Sequence, residues 1–520
     1  MANYIMGIDV GTTGTKTAIM DDGGKLVALA YREYGCVYPC PGWVEQDVDM
    51  LVATSFETAA EAFTKSGLSK GDIAGLAISA QRCCTVFVDG AGKLVRPMIS
   101  WQDNRTKDEV EYIRTQVSDD DFYDTVRLPQ STTWMLSKIL WLQRNEPDAW
   151  ARTAKVVQLH DYVLHAWGAE SFCVDHSDSA FSGCWDTAKL KWDDRLMAVG
   201  GVTPAKLSQP MSSGSRAGQL SANAAANTGL AVGTPLCIGA GDQNSGALGA
   251  GVVLPGLLSV SLGTGGAVAA CADFAFHDAS RKTMVTNHVI DGRWLVEGYQ
   301  AGAASVFRWF RDQFAGIESA YAKAAGRDPY DVLTELIGKA PAGSKGLLLL
   351  PYFASAATPR WNPAARGTMV GMTFAHDRYC MARAHIEGIT LEVRDMLESL
   401  VSAGITFDRV HLLGGPTKSE LWNQIQADVY GHTVCTLDNT DAAVTGAAIL
   451  AGVGVGIFPD AAKGVENLVK IRRKYTPDAG NHERYDELYD LYKTLYKAMA
   501  DSGVYERLAA FQVKYSGENE

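Results

Sequence analysis

Two segments of this 520-residue chain share one arrangement of glycine and threonine. Residues 8–17 read IDVGTTGTKT, and residues 260–266 read VSLGTGG. In each segment an apolar run breaks at glycines and then resumes, which predicts a hairpin that exposes several backbone amides at its tip. A concave row of amides binds phosphate oxygens without a cationic side chain. Because the segments lie in different halves of the chain, they suggest a nucleotide held between two domains.

Two aspartates accompany apolar runs and are the first candidates for acid–base or metal chemistry. Asp9 lies inside the apolar start of the first segment, where a carboxylate is costly unless a partner or a ligand compensates it. Asp242 follows the apolar run 236–240. Taken alone, Asp242 is more simply a turn residue.

Three other features receive structural interpretations. Lys16 follows the first glycine turn, and we expect it to face solvent on the outgoing strand rather than a phosphate. His160 stands next to Asp161, a possible dyad that we interpret as a structural pair. The aromatic stripe between residues 485 and 496 has helical spacing and predicts packing rather than a site.

The elements that would position these residues mix strands and helices, which is typical of an α/β fold. Residues 4–32 predict an antiparallel meander with a turn at 21–24, and the second half opens in the same way. We also predict a helix that begins near Thr132 and ends at Pro147. The other predicted elements are strands at 73–79, 85–88, 236–240 and 409–413, and helices at 50–65, 303–314, 379–402 and 419–430.

Composition excludes several classes of function. The chain has 47% hydrophobic and 20% charged residues, as ordinary globular proteins do, and it is long enough for two domains. A formal net charge of -12 argues against binding nucleic acid, which needs a basic surface. The 10 cysteines form no CxxC pair, so we expect neither zinc fingers nor disulfides and place the protein in the cytoplasm.

One uncharged stretch, residues 248–272, is long enough to span a bilayer. Its many glycines and Pro255 oppose a helix, so we predict a buried strand and loop and no membrane partner. The eight residues before Asp9 contain no basic region and read as the start of a strand rather than a signal peptide.

Further motifs follow in an order that resembles the FGGY family of carbohydrate kinases, within the actin-like ATPase superfamily. The similarity covers nearly the whole chain. The matching segments are residues 8–13, 42–47, 101–105, 138–142, 241–243, 261–265, 365–367 and 414–415. The resemblance implies two actin-like, ribonuclease H-like domains. The first, residues 1–254, would hold the sugar and the first phosphate loop, and the second, residues 255–520, would hold ATP.

The same resemblance assigns roles to individual residues. Asp242 would be the general base, since phosphoryl transfer needs a group that accepts the hydroxyl proton. Asp9, with Asp242, would hold Mg²⁺. The glycine corner at 414–415 opens a helix, which suits nucleotide phosphates. The ATP-binding residues would be Gly11, Thr12, Thr13, Gly263, Thr264, Gly265, Gly414, Gly415 and Ser419.

The predicted substrate wall combines an apolar face with hydrogen-bonding groups. Its members are Gln81, Arg82, Trp101, Asp103, Asp242 and Gln243. Rival interpretations place Trp101 in the core, pair Asp103 with Arg105, and leave Arg82 as a surface charge. Cys83 stands where glycerol kinases carry an acidic residue after Gln-Arg, so one acceptor for substrate hydroxyls is missing.

These features predict an ATP-dependent kinase that acts on a small sugar. A ketopentose such as xylulose is the favoured substrate. Glycerol or another short polyol such as a tetritol is the alternative, because Gln81 and Arg82 resemble glycerol kinases. An actin-like ATPase without kinase activity and a sugar sensor are the other classes. The segment 101–105 disfavours the ATPase, and the presence of both Asp9 and Asp242 disfavours the sensor. The sequence leaves the oligomeric state open, with a homodimer among the options.

Overall fold

The computed structural model describes residues 3–515, and two large sheets dominate it. The strands of the first half are β1 (Tyr4–Val10), β2 (Gly14–Asp21), β3 (Leu26–Glu33), β4 (Glu45–Gln46), β5 (Ile73–Ala80), β6 (Thr85–Val88), β7 (Met98–Ile99), β8 (Lys155–Gln158), β9 (Cys173–Asp175), β10 (Trp185–Asp186), β11 (Lys191–Trp192), β12 (Gln209–Met211), β13 (Arg216–Gln219) and β14 (Pro235–Gly241). Those of the second half are β15 (Gly256–Leu262), β16 (Gly266–Ala272), β17 (Met284–Asn287), β18 (Trp294–Gln300), β19 (Leu348–Leu350), β20 (Thr368–Val370), β21 (Phe407–Gly414), β22 (Thr433–Leu437) and β23 (Ile471–Tyr475).

Helices surround both sheets. In chain order they are α1 (Val48–Ser66), α2 (Lys107–Gln116), α3 (Asp119–Val126), α4 (Met135–Asn145), α5 (Pro147–Arg152), α6 (Leu159–Trp167), α7 (His176–Ser179), α8 (Asp194–Gly200), α9 (Ala222–Thr228), α10 (Asp242–Gly249), α11 (Ala304–Phe314), α12 (Gly316–Ala324), α13 (Pro329–Ile337), α14 (Arg378–Ser402), α15 (Glu420–Tyr430), α16 (Ala442–Gly454), α17 (Ala461–Leu468), α18 (Ala479–Asp501) and α19 (Val504–Tyr515).

The two large sheets repeat one topology. The first has the order β13-β14-β5-β1-β2-β3 and the second β17-β18-β16-β15-β21-β22-β23. In each, the opening strand pairs antiparallel with the next strand and parallel with a later one: β1 with β2 and β5, and β15 with β16 and β21. The similar opening of the two halves, visible in the sequence, is therefore a repeat of architecture.

Most predicted elements are confirmed, with one instructive difference. The meander, the long helix α14 and the strand before the glycine corner lie where we expect them. The helix expected from Thr132 begins at Met135 instead, and Pro147, which we expect to end it, also opens α5. Proline is tolerated at the first position of a helix because an N–H group there would have no hydrogen-bond acceptor within the helix, so its absence costs nothing.

Helix α16 belongs to the second half in sequence but packs on the first sheet. A Cβ on Gly7 of β1 would lie 2.2 Å from the carbonyl oxygen of Val444 in α16. A Cβ on Gly249 of α10 would lie 1.9 Å from the carbonyl oxygen of Ala442. Glycine is required at both positions because the backbones touch. The two halves are thereby joined by α10 and α16.

The stretch at 248–272 forms the end of α10, a loop and two buried strands, as predicted. None of the helices within residues 3–515 has the length and apolar character needed to cross a bilayer. Every one of the ten cysteines is free. The aromatic stripe of α18 packs against the core of the second half.

Candidate active site

The carboxyl ends of three parallel strands meet at one edge of the first sheet. Asp9 in β1 lies opposite Ser79 in β5, and Gly241 at the end of β14 lies opposite Ala80. Asp242 is the next residue and begins α10. Side chains at the ends of neighbouring parallel strands share one crevice. The structure thus brings together Asp9 and Asp242, the two acids that the sequence singles out.

Asp242 combines burial with access to the crevice. Its side chain is 25% exposed, and its Oδ1 accepts a hydrogen bond of 2.7 Å from the backbone N–H of Gln243. Burial raises the pKa of this carboxyl above its ordinary value, while the guanidinium of Arg82, 3.6 Å away, acts in the opposite direction. An accessible carboxylate with increased proton affinity can accept a proton from a hydroxyl group.

Asp9 is half-buried beside Asp242. The Ser79 hydroxyl donates a hydrogen bond of 3.0 Å to its Oδ1. Burial, together with the negative charge of Asp242, raises the pKa of Asp9 to about 7. Two carboxylates that oppose each other's ionisation are stabilised by a divalent cation between them, and Mg²⁺ prefers such oxygen ligands. The donor set at this edge therefore fits Mg²⁺.

The prediction that Lys16 faces solvent is wrong, because its side chain is only 30% exposed and is paired with an acid of the second half. Its ammonium forms an ion pair with the carboxylate of Asp441, the residue before α16, and lies 5.6 Å from the centre of the Tyr31 ring. Lys16 is the cross-strand partner of Asp9. The pair with Asp441 therefore joins the first hairpin to the second half of the chain beside the candidate metal site.

Arg82 is held by residues from both halves. Its Nη1 donates hydrogen bonds of 2.8 and 3.1 Å to the carboxylate of Glu297 in β18 and one of 3.0 Å to Asn244 Oδ1. The guanidinium also lies 4.3 Å from the centre of the Phe181 ring. The interpretation of Arg82 as a surface charge is wrong, since its side chain is only 13% exposed.

Sequence reasoning missed Glu297 and Asn244. Glu297 is 2% exposed and stands within the apolar strand WLVEGYQ. A buried carboxylate in such a strand is costly unless a cation pairs with it. The same argument that singled out Asp9 therefore applies to Glu297, although it could not name Arg82 as its partner.

The first glycine hairpin is a tight turn that also supports the substrate segment. The N–H of Gly11 donates to the carbonyl oxygen of Gly14 at 3.1 Å, and Thr13 is exposed at the tip. The indole N–H of Trp101 donates to the Thr12 hydroxyl at 2.9 Å. Trp101 is half-buried next to this loop, so the structure brings it to the candidate phosphate site.

The second hairpin is also closed by a backbone bond, across a turn one residue shorter than the first. The N–H of Gly263 donates to the carbonyl oxygen of Gly265 at 2.9 Å, and the exposed Thr264 accepts a backbone bond of 2.9 Å from Ala303. Backbone bonds thus fix the loop while its tip stays open.

The glycine corner lies directly beside the second hairpin. Gly414 is the register partner of Leu262, the residue before that hairpin. Glycine is required here because φ is 90° and a Cβ at this position would lie 2.2 Å from the Leu262 carbonyl oxygen. Gly415 begins the following turn, and the Ser419 hydroxyl caps α15 by accepting the N–H of Trp422 at 3.1 Å. The predicted ATP residues of the second half are therefore neighbours.

Asp103 is not a wall residue, which corrects our prediction. It is 1% exposed, and its carboxylate forms a two-point ion pair with the buried guanidinium of Arg105, with a shortest distance of 2.8 Å. It also accepts the N–H of Val44 at 2.6 Å. These contacts use its acceptor capacity, so Asp103 fixes the loop that carries Trp101.

The two glutamines differ in their access to the crevice. Gln81 is 1% exposed and donates to the side chain of Gln46 at 2.8 Å, so it supports the wall from behind. Gln243 is half-buried in the first turn of α10, next to Asp242. Of the two, Gln243 is therefore the one placed to meet a ligand.

Comparisons with known proteins agree with this geometry. Residues 4–249 match the N-terminal domain of the FGGY family of carbohydrate kinases, and residues 258–455 match its C-terminal domain. The chain is 29% identical to a xylulose kinase of Bacillus subtilis (strain 168), covering 96% of this chain and 97% of the relative. It is 27% identical to a gluconokinase of the same strain, covering 98% of this chain and 99% of the relative.

A solved structure supports the same assignment. The crystal structure of xylulose kinase from Rhodospirillum rubrum aligns with a TM-score of 0.86 at 28% identity, covering 96% of this chain and 99% of that one. The predicted fold class, an α/β fold of the two-domain actin-like type, is confirmed. The chain belongs to the FGGY family of carbohydrate kinases, enzymes that transfer phosphate to a small sugar.

Proposed function

We propose that this kinase transfers the terminal phosphoryl group of ATP, with Mg²⁺, to a hydroxyl of a ketopentose such as xylulose. The observation that carries the proposal is the meeting of Asp9 and Asp242 at one sheet edge, below a glycine hairpin. Asp242 is the general base, and Asp9 holds the metal with it. The proposed domains, residues 1–254 and 255–520, close over both substrates.

The charges beside Arg82 favour a neutral sugar over a sugar acid. Glu297 and Asp242 place two carboxylates within 3.6 Å of a single guanidinium. A substrate carboxylate would therefore enter a site where the guanidinium is already paired and the net charge is negative. Bringing another negative charge there costs binding free energy. This argument separates the proposed substrate from gluconate, the substrate that the second relative's name suggests.

Each chain residue has a defined task in the transfer. Asp242 accepts the proton of the attacking hydroxyl, and Arg82 donates to neighbouring hydroxyls. The exposed amides of the two hairpins hold phosphate oxygens. Mg²⁺, when bound, neutralises charge on the phosphates. The pairs Arg82–Glu297 and Lys16–Asp441 hold the halves together, which excludes water as a competing acceptor.

A substrate panel tests the proposal. Purified protein with MgATP is offered xylulose, ribulose, gluconate, erythritol and glycerol, and ADP release and the phosphate ester are both measured. We expect the highest kcat/KM with a ketopentose and the lowest with gluconate. A highest value with glycerol or erythritol would establish the polyol alternative, and equal ADP release with and without any acceptor would contradict the proposal.

Metal affinity should depend on pH through Asp9. Because the pKa of Asp9 is raised to about 7, a cation must displace a proton below that pH. We expect the affinity for Mn²⁺, used in place of Mg²⁺, to fall about tenfold for each pH unit below 7 and to level off above it. Calorimetric titration between pH 5.5 and 8.5 measures this, and affinity independent of pH would contradict it.

Glu297→Gln should weaken sugar use more than nucleotide use. The change removes the charge that holds Arg82, whose guanidinium then moves towards Asp242, 3.6 Å away. We expect kcat/KM for the sugar to fall roughly ten- to a hundredfold, with the KM for ATP little changed. Glu57→Gln is the matched control, because Glu57 pairs with Arg32 at the surface. A fall shared equally by sugar and ATP would reject this positioning role.

A further inference from the structure

A buried cluster of His160, Asp161 and Asp178 lies behind the substrate wall. One ligand atom from each of these residues lies within 4.8 Å of the other two, and all three side chains are at most 1% exposed. The cluster borders the catalytic strand: Oδ1 of Asp178 lies 3.4 Å from the position that a Cβ on Gly241 would occupy. It is separate from the Asp9 and Asp242 pair, because its residues come from the starts of α6 and α7.

The cluster contains polar atoms that the protein leaves without partners. Within residues 3–515, both carboxylate oxygens of Asp178 lack a hydrogen-bond partner. The imidazole of His160 lies with Nδ1 3.4 Å from Oδ1 of Asp161, which confirms that these two neighbours form a pair, and it also bonds to the backbone of Ile78. Asp161 differs, since its Oδ2 accepts 2.7 Å and 3.0 Å bonds from the hydroxyl of Ser208 and the N–H of Gln158. Burying an unpartnered carboxylate is expensive, so a compensating group belongs at Asp178.

The charges of the surroundings identify that group as a cation. Three carboxylates, those of Asp161, Asp175 and Asp178, are fully buried within this region. Asp175 is satisfied as the cap of α7 by the N–H of Ser177 at 2.8 Å, but its charge remains. Arg82, whose charge also acts on Asp178, is already paired with Glu297. The imidazole of His160 alone leaves the region with excess negative charge.

We propose that His160, Asp161 and Asp178 bind a divalent transition-metal ion of the zinc class. An imidazole nitrogen and two carboxylate oxygens are ligands that Zn²⁺ accepts, and imidazole favours such an ion over Mg²⁺. The ion satisfies the free oxygens of Asp178 and ties α6 to α7. Asp178 is then withheld from Arg82, which stays directed at Glu297 and the crevice.

The metal content of the full-length protein tests this directly. The protein is stripped with EDTA, loaded with Zn²⁺, dialysed and analysed by mass spectrometry. We expect about one retained ion per chain. The variants Asp178→Asn and His160→Gln should retain at least tenfold less, whereas Asp9→Asn should retain the wild-type amount. Zn²⁺ lost by Asp9→Asn but kept by Asp178→Asn would overturn the proposal.

A second measurement keeps the test independent of variant folding. Co²⁺ loaded into the stripped wild-type protein should give visible absorption bands, and Zn²⁺ should abolish them by displacement. A wild-type protein that retains neither ion overturns the proposal. In that case a proton shared between His160 and Asp178 compensates the cluster. Thermal unfolding monitored by circular dichroism verifies that each variant is folded.

Discussion

The Asp242→Asn variant should bind ATP and the sugar nearly as well as the wild type but transfer phosphate about a thousandfold more slowly. The change preserves the shape of the side chain but removes its charge, and with it the ability to take a proton. Saturating Mg²⁺ in the assay offsets the weaker metal ligand that an amide provides. The N–H of Gln243, which donates to Oδ1 of Asp242, can still bond to the amide oxygen of asparagine. The loss should therefore appear in kcat, with both KM values within a few-fold of wild type.

The position of Asp242 explains why we propose this residue, and not another acid, as the base. It begins α10, where the helix dipole stabilises a negative charge, and the nearby Arg82 adds to this effect. Burial opposes both and dominates, so the pKa of Asp242 rises above its ordinary value. The carboxylate of Asp242 is thus more basic than that of an exposed aspartate, as a proton acceptor should be.

A matched control separates base chemistry from the effect of an acid at the first position of a helix. Asp194 begins α8 as Asp242 begins α10, but it is exposed and far along the chain from the crevice residues. Asp194→Asn should leave kcat unchanged. Initial rates with a coupled ADP assay, together with calorimetric ATP binding, measure the outcome. If Asp242→Asn retained more than about a tenth of the wild-type turnover, the assignment of the base would be withdrawn.

What could be predicted from the sequence depended on local signals. Glycines spaced along an apolar run predict the hairpins because chain turns are local events. Asp9 is identifiable because a carboxylate inside an apolar strand is costly unless a partner or a ligand compensates it. Asp242, taken alone, is more simply a turn residue, and only the family resemblance of its surroundings assigns it a role. Their meeting follows from parallel pairing of β1 and β14 with β5.

What could not be predicted depended on distant partners. Arg82 and Glu297 are separated by 215 positions, and Lys16 and Asp441 by 425, so no spacing rule joins them. Asp103 shows the opposite error. Its partner Arg105 is two residues away, so the ion pair itself was foreseeable. The spacing does not tell, however, whether the pair lines the substrate site or is buried behind the residues that do.

These distant pairs have a common role. Arg82–Glu297 and Lys16–Asp441 both connect the first sheet's edge to residues of the second half. Each anchors a side chain next to one of the two central acids: Arg82 beside Asp242, and Lys16 beside Asp9. The ion pairs that join the halves therefore also set the electrostatics of the crevice, so movement of the halves should alter the proton affinity of both acids.

The Asp9→Asn variant should lose activity and gain stability. With saturating Mg²⁺, we expect kcat to fall about a hundredfold, because an amide is a poorer ligand for a hard cation than a carboxylate. In metal-free buffer at pH 8 we expect a higher unfolding temperature than for wild type. Burial and Asp242 raise the pKa of Asp9 to about 7, so at pH 8 the folded protein carries a charge that its surroundings disfavour.

The sign of the pH dependence makes this prediction specific. The folded protein binds the Asp9 proton more tightly than the unfolded chain, whose aspartates have pKa values of about 4. The contribution of Asp9 to wild-type stability should therefore rise as the pH falls from about 7 to about 4, and the advantage of Asp9→Asn should shrink over that range. Scanning calorimetry with and without Mg²⁺ measures both effects. Mg²⁺ should stabilise the wild type only, since a ligand stabilises the state that binds it. An equal response of the two proteins to Mg²⁺ would remove Asp9 from the metal site.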